Sequence, residues 1–432
     1  MHHKHKRLAS IFLGVLVSGV LGLGNAQVEF VWSHFWTGTN PLAPYRDVLI
    51  EGFNEEFAGQ YRVVSRETPG DPAHAERILA EAVIDELPDL ITCNNTCIKQ
   101  VIETGRAVDL TEFVMGTAWG ERFIEGAFDP YLSTADFKFD GTGDRLFAIP
   151  YTLDNVGIYY NTALLEQAGI SELPATWDDF FALSGQLRDA GIIPFAADGD
   201  WVTQLLWANM IGTQEGGTQW LSLPGGTHDF SADVVVNATN QLVEYAQADY
   251  TNIDAYTGAY NIPATLFLQG QAAMIANGPW MINNIKNPEE TSEGLVDDIV
   301  YSIAPGSGII QIVGEQAFAV GAKDPEVIEA AVAFIEYVTS PEQMVNHTLF
   351  TNRDGLVGDV VFSDDDRAAI HPLAVSISEA AATADYKYPH AKNFISPAAN
   401  AEWINLWPDL ARGNMTTEEF LADVQAAQDA AQ

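Results

Sequence analysis

The sequence predicts an α/β protein of two lobes, and three observations lead to that fold class. The chain has 432 residues, of which 47% are hydrophobic, and this length exceeds what one hydrophobic core usually holds. Short apolar runs alternate with helical patterns, which is typical of a parallel sheet covered by helices. The run 146–161 reads as a buried strand that carries one acidic residue, Asp154. Because a buried acid needs a partner, we expect this run to cross between the lobes with Asp154 facing the gap.

The first lobe is predicted to open with a βαβαβ unit. Apolar residues spaced three or four apart, such as Leu49 and Phe53, indicate a helix between the first two strands. The expected elements are strand 28–32, helix 42–57, strand 61–65, helix 73–86 and strand 90–92. Loops beyond the carboxyl ends of such strands usually form the ligand crevice.

The second lobe is expected to begin after Asn161, with a helix over 177–191 and a strand over 193–195. A strand near 301–305 ends in Pro and Gly, which predicts the return to the first lobe. Helix 326–338 follows, and Pro341 begins another helix. The expected division is 27–150 with about 304–342 in the N-terminal lobe, and 151–303 with about 343–432 in the C-terminal lobe.

The first 26 residues have the pattern of a secretory signal peptide. Lys4, Lys6 and Arg7 precede an apolar run over 11–23, and small residues lead to Ala26. We expect cleavage after Ala26, because the run is too short to span a bilayer; an uncleaved anchor is the alternative. No cysteine lies near the cut, so a lipid anchor is not supported. The predicted location is the periplasm or the extracellular space.

The charge of the chain limits its partners. Asp and Glu number 59 against 20 Lys and Arg, giving a formal net charge of −39. Such a surface disfavours nucleic acid and anionic membranes. Carboxylates spread over a surface mostly interact with water, so the charge does not by itself predict a cationic ligand. It also suits a saline habitat, which the sequence leaves open.

Catalytic motifs are absent from the sequence. It contains no G-x-S-x-G, H-E-x-x-H, P-loop or dinucleotide-binding pattern. Carboxylate pairs are common in so acidic a chain and therefore indicate little about acid–base chemistry. We predict a binding protein without catalytic residues, cofactor or metal.

Two cysteines, Cys93 and Cys97, are the whole cysteine content. A single C-x-x-x-C pair is weak evidence for a metal, which usually takes more ligands. In an oxidising compartment a local disulfide is possible if the geometry permits it. The sequence leaves the two cysteines either joined or free.

Several stretches resemble family 1 extracellular solute-binding proteins, the sugar receptors of ABC importers, of which maltose-binding protein is a familiar member. The match includes the run Pro150-Tyr151 to Tyr159-Tyr160-Asn161, the segments 164–170 and 174–180, and Phe267 to Trp280, which follows the pattern F-x-x-G-x-A-A-M-x-x-x-G-x-W. The resemblance implies a two-lobed periplasmic-binding-protein fold of type II, with hinge strands and a ligand cleft between the lobes. It also implies capture of a mono- or oligosaccharide by lobe closure, delivery to membrane permease subunits, and a monomeric receptor.

Aromatic candidates for this site are those a sugar would stack on. Trp36, with His34 beside it, follows the first strand; Trp201 begins a helix after an acidic turn. Trp280, in the most specific motif, is the firmest choice as a stacking platform. Trp403 is a weaker candidate because Trp407 lies one helical turn away, and an aromatic helix face usually belongs to a core.

Polar candidates could bond sugar hydroxyls. They lie at the ends of predicted strands, in the crossing strand or in turns: Glu67, Asn94, Asn95, Asp154, Asp200, Glu315 and Arg353. The two asparagines could equally cap a helix at Cys97. Asp200 is also a possible N-cap. Glu315 stands where the family pattern has a second Gly, and Arg353 could clamp ligand or pair with acids.

Three functions stay open on this evidence. The first is a sugar receptor, which a cleft containing Trp36, Trp201 and Trp280 would favour. The second is a receptor of the same fold for polyamine, metal or another small solute, which acids without a stacking platform would favour. The third is a secreted carbohydrate-active enzyme, which would need a base and a charge-neutralising group at bonding distance.

Overall fold

The computed structural model describes residues 27–430 except 39, 41, 140–141, 224–226 and 253–259. The predicted signal peptide, 1–26, lies outside the described residues. Among the helices described, none combines the length and apolar character needed to cross a bilayer.

From β1 to α3 the strands and helices alternate as the sequence predicts. The strands are β1 Val28–His34, β2 Tyr61–Glu67, β3 Leu90–Asn94, β4 Leu132–Ser133, β5 Arg145–Leu146, β6 Ala148–Pro150, β7 Thr152–Asn161, β8 Ile193–Phe195, β9 Ala272–Asn277, β10 Ile299–Ser302, β11 Gly308–Val313, β12 Gln316–Val320, β13 Asp354–Gly355 and β14 Tyr386–Tyr388. The helices are α1 Ala43–Glu56, α2 Asp71–Val83, α3 Asn95–Glu103, α4 Thr111–Val114, α5 Thr162–Gln167, α6 Trp177–Asp189, α7 Trp201–Gly212, α8 Gly217–Leu221, α9 Asp233–Gln247, α10 Asn261–Leu268, α11 Met281–Ile285, α12 Pro325–Val338, α13 Pro341–Thr351, α14 Asp364–Ala369, α15 Pro372–Thr383, α16 Pro397–Ala411 and α17 Thr417–Ala430.

The first lobe is built on a five-stranded sheet in the order β2-β1-β3-β12-β6. Strand β1 runs parallel to both β2 and β3, while β12 runs antiparallel to β3 and β6. Helices α1 and α12 bury aromatic side chains against it, with Phe30, Phe53 and Phe334 in mutual ring contact. The carboxyl ends of β1, β2 and β3 therefore share one edge of the sheet, where their following loops meet.

The second lobe is organised around β7, which pairs with β9, β10, β11 and β13. Nine of its ten residues are buried, because helices cover the sheet that contains it. The main path of that sheet is β14-β11-β7-β9-β8. Two separate cores result, one on each sheet, and the predicted two-lobed α/β fold is confirmed.

Three segments of the chain join the lobes. Tyr151 links β6 of the first sheet to β7 of the second, residues 314–315 link β11 back to β12, and residues 352–353 link α13 to β13. Gly314 has φ +64°, and a Cβ there would lie 2.5 Å from the Cβ of Pro150. Glycine is therefore required where two crossings touch.

The positions of two crossings differ from the predicted ones. The sequence placed a return near 301–305, but the chain instead adds β11 antiparallel to β7 and returns at 314–315. Ile309, Ile310 and Ile312 are buried in that pairing, which explains why the strand stays in the second sheet. Helix α13, expected in the C-terminal lobe, packs on α1 of the first lobe, with the rings of His347 and Tyr45 5.6 Å apart.

Candidate functional site

A buried ion cluster lies where the three crossings meet. Arg353 donates from Nε to Asp154 Oδ1 at 2.7 Å and from Nη2 to Asp154 Oδ2 at 2.5 Å. The same Nη2 donates to Glu315 Oε2. Asp154 is fully buried and Arg353 is 5% exposed. Glu315 and Arg353 lie in two of the crossings, and Asp154 lies in β7 three residues after the third, so the cluster ties the hinge together through charge-assisted bonds.

Glu315 is the most accessible member of this hinge cluster, with a side chain 29% exposed. Burial raises the pKa of its carboxyl and the nearby Asp154 raises it further, while Arg353 opposes both effects. Burial is the main cause of this direction, and the second carboxylate adds to it because like charges disfavour joint ionisation.

Beside the hinge cluster, the second lobe presents an aromatic face. Trp280 and Trp201 are half-buried, and their ring centroids lie 6.1 Å apart at an interplanar angle of 55°. The guanidinium of Arg353 lies 5.8 Å from the Trp280 ring centroid. Trp280 follows Gly278-Pro279 and is the N-cap residue of α11, so its ring is held close to the end of β9.

Polar groups surround Trp201. Lys392 Nζ lies 5.3 Å from the ring centroid and 2.8 Å from Asp200 Oδ2, and the ring of His390 contacts Trp201 at 4.5 Å. Asp198 Oδ1 accepts hydrogen bonds from the backbone N–H groups of Asp200 and Val202, both at 3.0 Å. Burial raises the pKa of Asp198 to about 6. Its Oδ2 has no partner among the described residues.

The first lobe contributes amides and carboxylates. Asn94 caps α3 by accepting from the Cys97 N–H at 2.9 Å, and its Nδ2 donates to both oxygens of Asp71 at 3.0 and 3.1 Å. The Asn95 N–H donates to the carbonyl of Glu315 at 2.9 Å. These bonds fix the end of β3 beside the hinge cluster.

Cys93 and Cys97 form a disulfide, with their Cα atoms 6.0 Å apart. The bond joins β3 to the first turn of α3 at the position that Asn94 also caps. The start of α3 is therefore fixed both covalently and by a hydrogen bond.

A groove of about 1300 Å³ extends from this point between the lobes. Its first-lobe wall is one side of α3 and parts of the segment 126–143, and its second-lobe wall includes Leu221 and residues 392–397. Asn95 and Lys392 line it from opposite lobes. The groove therefore adjoins the hinge at two residues, Asn95, which bonds the Glu315 carbonyl, and Lys392, which contacts Trp201.

Comparison with known proteins places these features in a family. The model of bacterial extracellular solute-binding proteins matches residues 67–345 of this chain. The chain belongs to that family. The match includes the crossings at Tyr151 and at 314–315 and the motif that ends in Trp280, so the family pattern and the hinge geometry concern the same residues.

The relatives of this solute-binding protein are distant in sequence. A multiple sugar-binding protein of Streptococcus mutans is 24% identical over 208 residues, covering 46% of this chain and 49% of the relative. The chain spans about half the length of the curated relatives it matches.

Solved structures share the fold over nearly the whole chain. A chitin oligosaccharide binding protein is 19% identical and has a TM-score of 0.76, covering 94% of this chain and 99% of that one. A solute-binding protein of Streptococcus pneumoniae in complex with the blood group A-trisaccharide has 19% identity and a TM-score of 0.74, with 93% and 100% covered. These neighbours are binding proteins, and they establish the type II two-lobed fold.

In this solute-binding protein, two predicted site residues lie in the first-lobe core. Trp36 is completely buried and donates its indole N–H to Gln316 Oε1 at 2.9 Å. His34 is also completely buried, with Nε2 2.8 Å from Ser65 Oγ. Burial, together with a smaller effect of the nearby Arg46, lowers the pKa of His34 to about 3. Neither side chain offers surface to a ligand in this conformation.

Two further predicted residues also lie apart from the hinge cluster. Trp403 is fully buried and stacks on Trp407 at an interplanar angle of 12°, in agreement with the core alternative. Glu67 is exposed at the end of β2 and pairs with Arg46 at 2.8 Å. The structure brings together the other eight predicted residues: Asn94, Asn95, Asp154, Asp200, Trp201, Trp280, Glu315 and Arg353.

Sequence reasoning missed four residues beside this group: Asp71, Asp198, Tyr260 and Lys392. Asp71 begins α2 after the short loop that follows β2, and Asp198 stands two residues before the predicted Asp200, so both could have been found from strand ends. The scarcity of lysine could have directed attention to Lys392. In the part of the chain that the structure describes, no cluster of His, Cys, Asp and Glu has metal-binding geometry.

Proposed function

We propose that this protein captures a sugar between its lobes and delivers it to the permease of an ABC importer. The observation that carries the proposal is the pair of half-buried rings, Trp201 and Trp280, beside the hinge cluster. Flat aromatic surfaces next to carboxylates and amides match the apolar faces and the paired hydroxyls of a pyranose. The names of the similar proteins, which include sugar-binding proteins, support the same ligand class.

The proposed receptor works without catalysis, as a monomer outside the cytoplasm. Its eight clustered residues come from both lobes and from the crossings between them, so hinge motion would complete the ligand contacts. Closure on the sugar would then be the state that the permease recognises. A family of extracellular binding proteins supports the periplasm or the extracellular space as the location.

Thermal melting with and without ligand tests the ligand class. The panel consists of mono- and oligosaccharides, with putrescine and spermidine included because several carboxylates lie near the site. A sugar that binds the folded state alone raises the melting temperature by mass action. A shift with polyamines and with no sugar would overturn the sugar proposal while leaving the fold intact.

Two single tryptophan variants, compared with each other, test where the sugar binds. Trp280→Ala is expected to weaken sugar binding roughly 10- to 100-fold, since truncation of an aromatic anchor removes much of the contact energy. Trp177→Ala is the matched control, because Trp177 is half-buried in the same lobe but bonds Thr213 outside the hinge cluster. Equal losses in the two variants, measured by calorimetric titration, would contradict the assigned site.

A further inference from the structure

Helix α3 has two different faces. Its buried residues are Cys97, Ile98, Val101 and Ile102, which pack in the first-lobe core. The residues that line the groove between the lobes are Asn95, Thr96, Lys99, Gln100 and Glu103. The helix therefore presents a polar face to the groove, from a position that the Cys93–Cys97 disulfide and the Asn94 cap fix.

Lys99 on this face differs from the other described lysines. It is half-buried and has no carboxylate oxygen within 4.0 Å among the described residues. Lys392, the other half-buried lysine described, pairs with Asp200. The remaining four described lysines, Lys138, Lys286, Lys323 and Lys387, are exposed. A chain with 59 acidic residues thus leaves one sheltered ammonium without an acidic partner in the described structure.

The surroundings of Lys99 make its positive charge costly. Burial lowers the pKa of Lys99 to about 8, and Glu103, four residues along the helix, partly opposes this effect. The ammonium lies 5.4 Å from the centroid of the Phe139 ring, which stabilises a cation weakly. An anion placed beside Lys99 would restore the interactions that burial removes.

The rest of the groove suits a chain of sugar units. Phe137 and Phe139 line it on the first-lobe side, and Phe394 lines it on the second-lobe side. Buried Asn95 Nδ2 also lacks a partner among the described residues, which leaves a donor for a ligand oxygen. Lys392 lines the groove and also contacts Trp201, so at this lysine the groove adjoins one of the two proposed stacking rings.

We propose that the groove between the lobes, which α3 lines, is an extension of the sugar site, and that Lys99 binds the carboxylate of a uronic acid unit in an oligosaccharide. The inference rests on the proposed sugar-receptor function and names its substrate class. A carboxylate fits better than a neutral hydroxyl because a charged acceptor forms the stronger bond with an ammonium. Lys138 and Lys392, which also line the groove, pair with Asp136 and Asp200, whereas Lys99 has no carboxylate oxygen within 4.0 Å among the described residues.

Calorimetric titration of the whole protein tests this assignment. The probes are di- to tetrasaccharides containing galacturonic, glucuronic or mannuronic acid, each compared with its carboxyl-reduced neutral counterpart. We expect one acidic series to bind about 10- to 100-fold more tightly than its neutral counterpart, the range of a hydrogen bond to a charged group. Binding of neutral sugars with no acidic preference would overturn the Lys99 inference and leave the sugar receptor standing. Binding of no sugar at all would overturn both.

Variants at position 99 separate charge from fold. Lys99→Met should abolish the preference for the acidic member of the pair, whereas Lys99→Arg should keep most of it. Lys323→Met is the matched control, because it removes the same charge from an exposed site in the first lobe that pairs with Asp85. An unchanged acidic preference in Lys99→Met would overturn the proposal. Melting temperatures of all three variants verify that they are folded.

Discussion

The two lobes present different chemistry to the space between them. In the second lobe, Trp201 and Trp280 are half-buried and turn part of their rings outward. In the first lobe, Trp32 and Trp36 have no exposed surface and form part of the core. Beside the hinge cluster the first lobe instead offers the amides of Asn94 and Asn95 with nearby carboxylates, and its groove-lining rings are Phe137 and Phe139.

This difference assigns stacking on the sugar to the second lobe and most hydrogen bonding to the first. An aromatic face on one lobe can hold an apolar sugar surface before closure, because stacking needs few precisely placed partners. Hydrogen bonds depend more strongly on geometry, and those from the first lobe would form once the lobes approach. The order of contacts would thus follow from which lobe carries the rings.

The largest expected change in stability comes from the hinge cluster, which lies between the aromatic groups of the second lobe and the polar groups of the first. Arg353→Met removes the cation between Asp154 and Glu315, leaving a fully buried carboxylate unpaired. We expect a loss of about 3–5 kcal/mol in the free energy of unfolding, measured with urea. Arg412→Met, at an exposed position, should change stability by about 0.5 kcal/mol or less.

Charge removal at Asp154 provides the corresponding control for the hinge cluster. Arg353→Met combined with Asp154→Asn should recover part of the lost stability, because the fully buried acid no longer carries a charge. A double variant as unstable as Arg353→Met alone would contradict the assignment of the loss to an unpaired Asp154.

A smaller, pH-dependent change in stability is expected at Asp198, which lies beside Trp201 in the second lobe. The folded protein raises the pKa of Asp198 to about 6, so its folded form binds a proton more tightly than its unfolded form. The resulting stabilisation is complete below about pH 4 and is lost as pH rises through about 6. Asp198→Asn keeps the Oδ1 acceptor for α7 but cannot ionise.

Relative to the wild type, Asp198→Asn should therefore gain roughly 1–3 kcal/mol in unfolding free energy between pH 4 and pH 7.5. Urea unfolding at several pH values measures this gain. Asp178→Asn, an exposed change in the first turn of α6, serves as the control. Parallel pH profiles for the wild type and Asp198→Asn would show that Asp198 is not the group responsible.

The smallest expected change in stability comes from comparing two helix-capping asparagines, one in each lobe. Asn94 caps α3 in the first lobe, and Asn161 caps α5 in the second by accepting from the Leu164 N–H at 3.2 Å. Asn94 also donates to Asp71. Asn94→Ala should therefore cost about 1 kcal/mol more than Asn161→Ala in unfolding free energy. Equal costs would mean that the bond to Asp71 contributes nothing to stability.

Local patterns in the sequence predict most of the fold and several residues of the candidate site. Strand and helix periodicity located the βαβαβ unit because it depends on neighbouring residues. An acid within an apolar run needs a partner, and Asp154 has one in Arg353, but Asp154 is fully buried in the hinge cluster instead of facing the gap as the sequence predicts. Trp280 was chosen from a motif whose residues are all close in sequence.

The remaining features depend on contacts between residues far apart in the chain. Trp36 is buried because it bonds Gln316, which is 280 residues away. Arg353 pairs with Asp154 across 199 residues, so the sequence showed each residue without showing the pair. The crossing at 314–315 was misplaced for the same reason, since nothing local shows that β11 pairs with β7.

The disulfide between Cys93 and Cys97 makes local opening of the first turn of α3 measurable. Both cysteines are at most 1% exposed, so a thiol reductant can attack the bond only when the first turn of α3 opens. The rate of reduction in native buffer would then measure this local opening separately from global unfolding. If ligand in the groove holds α3 against the first lobe, saturation with that ligand would slow the loss of the cross-link.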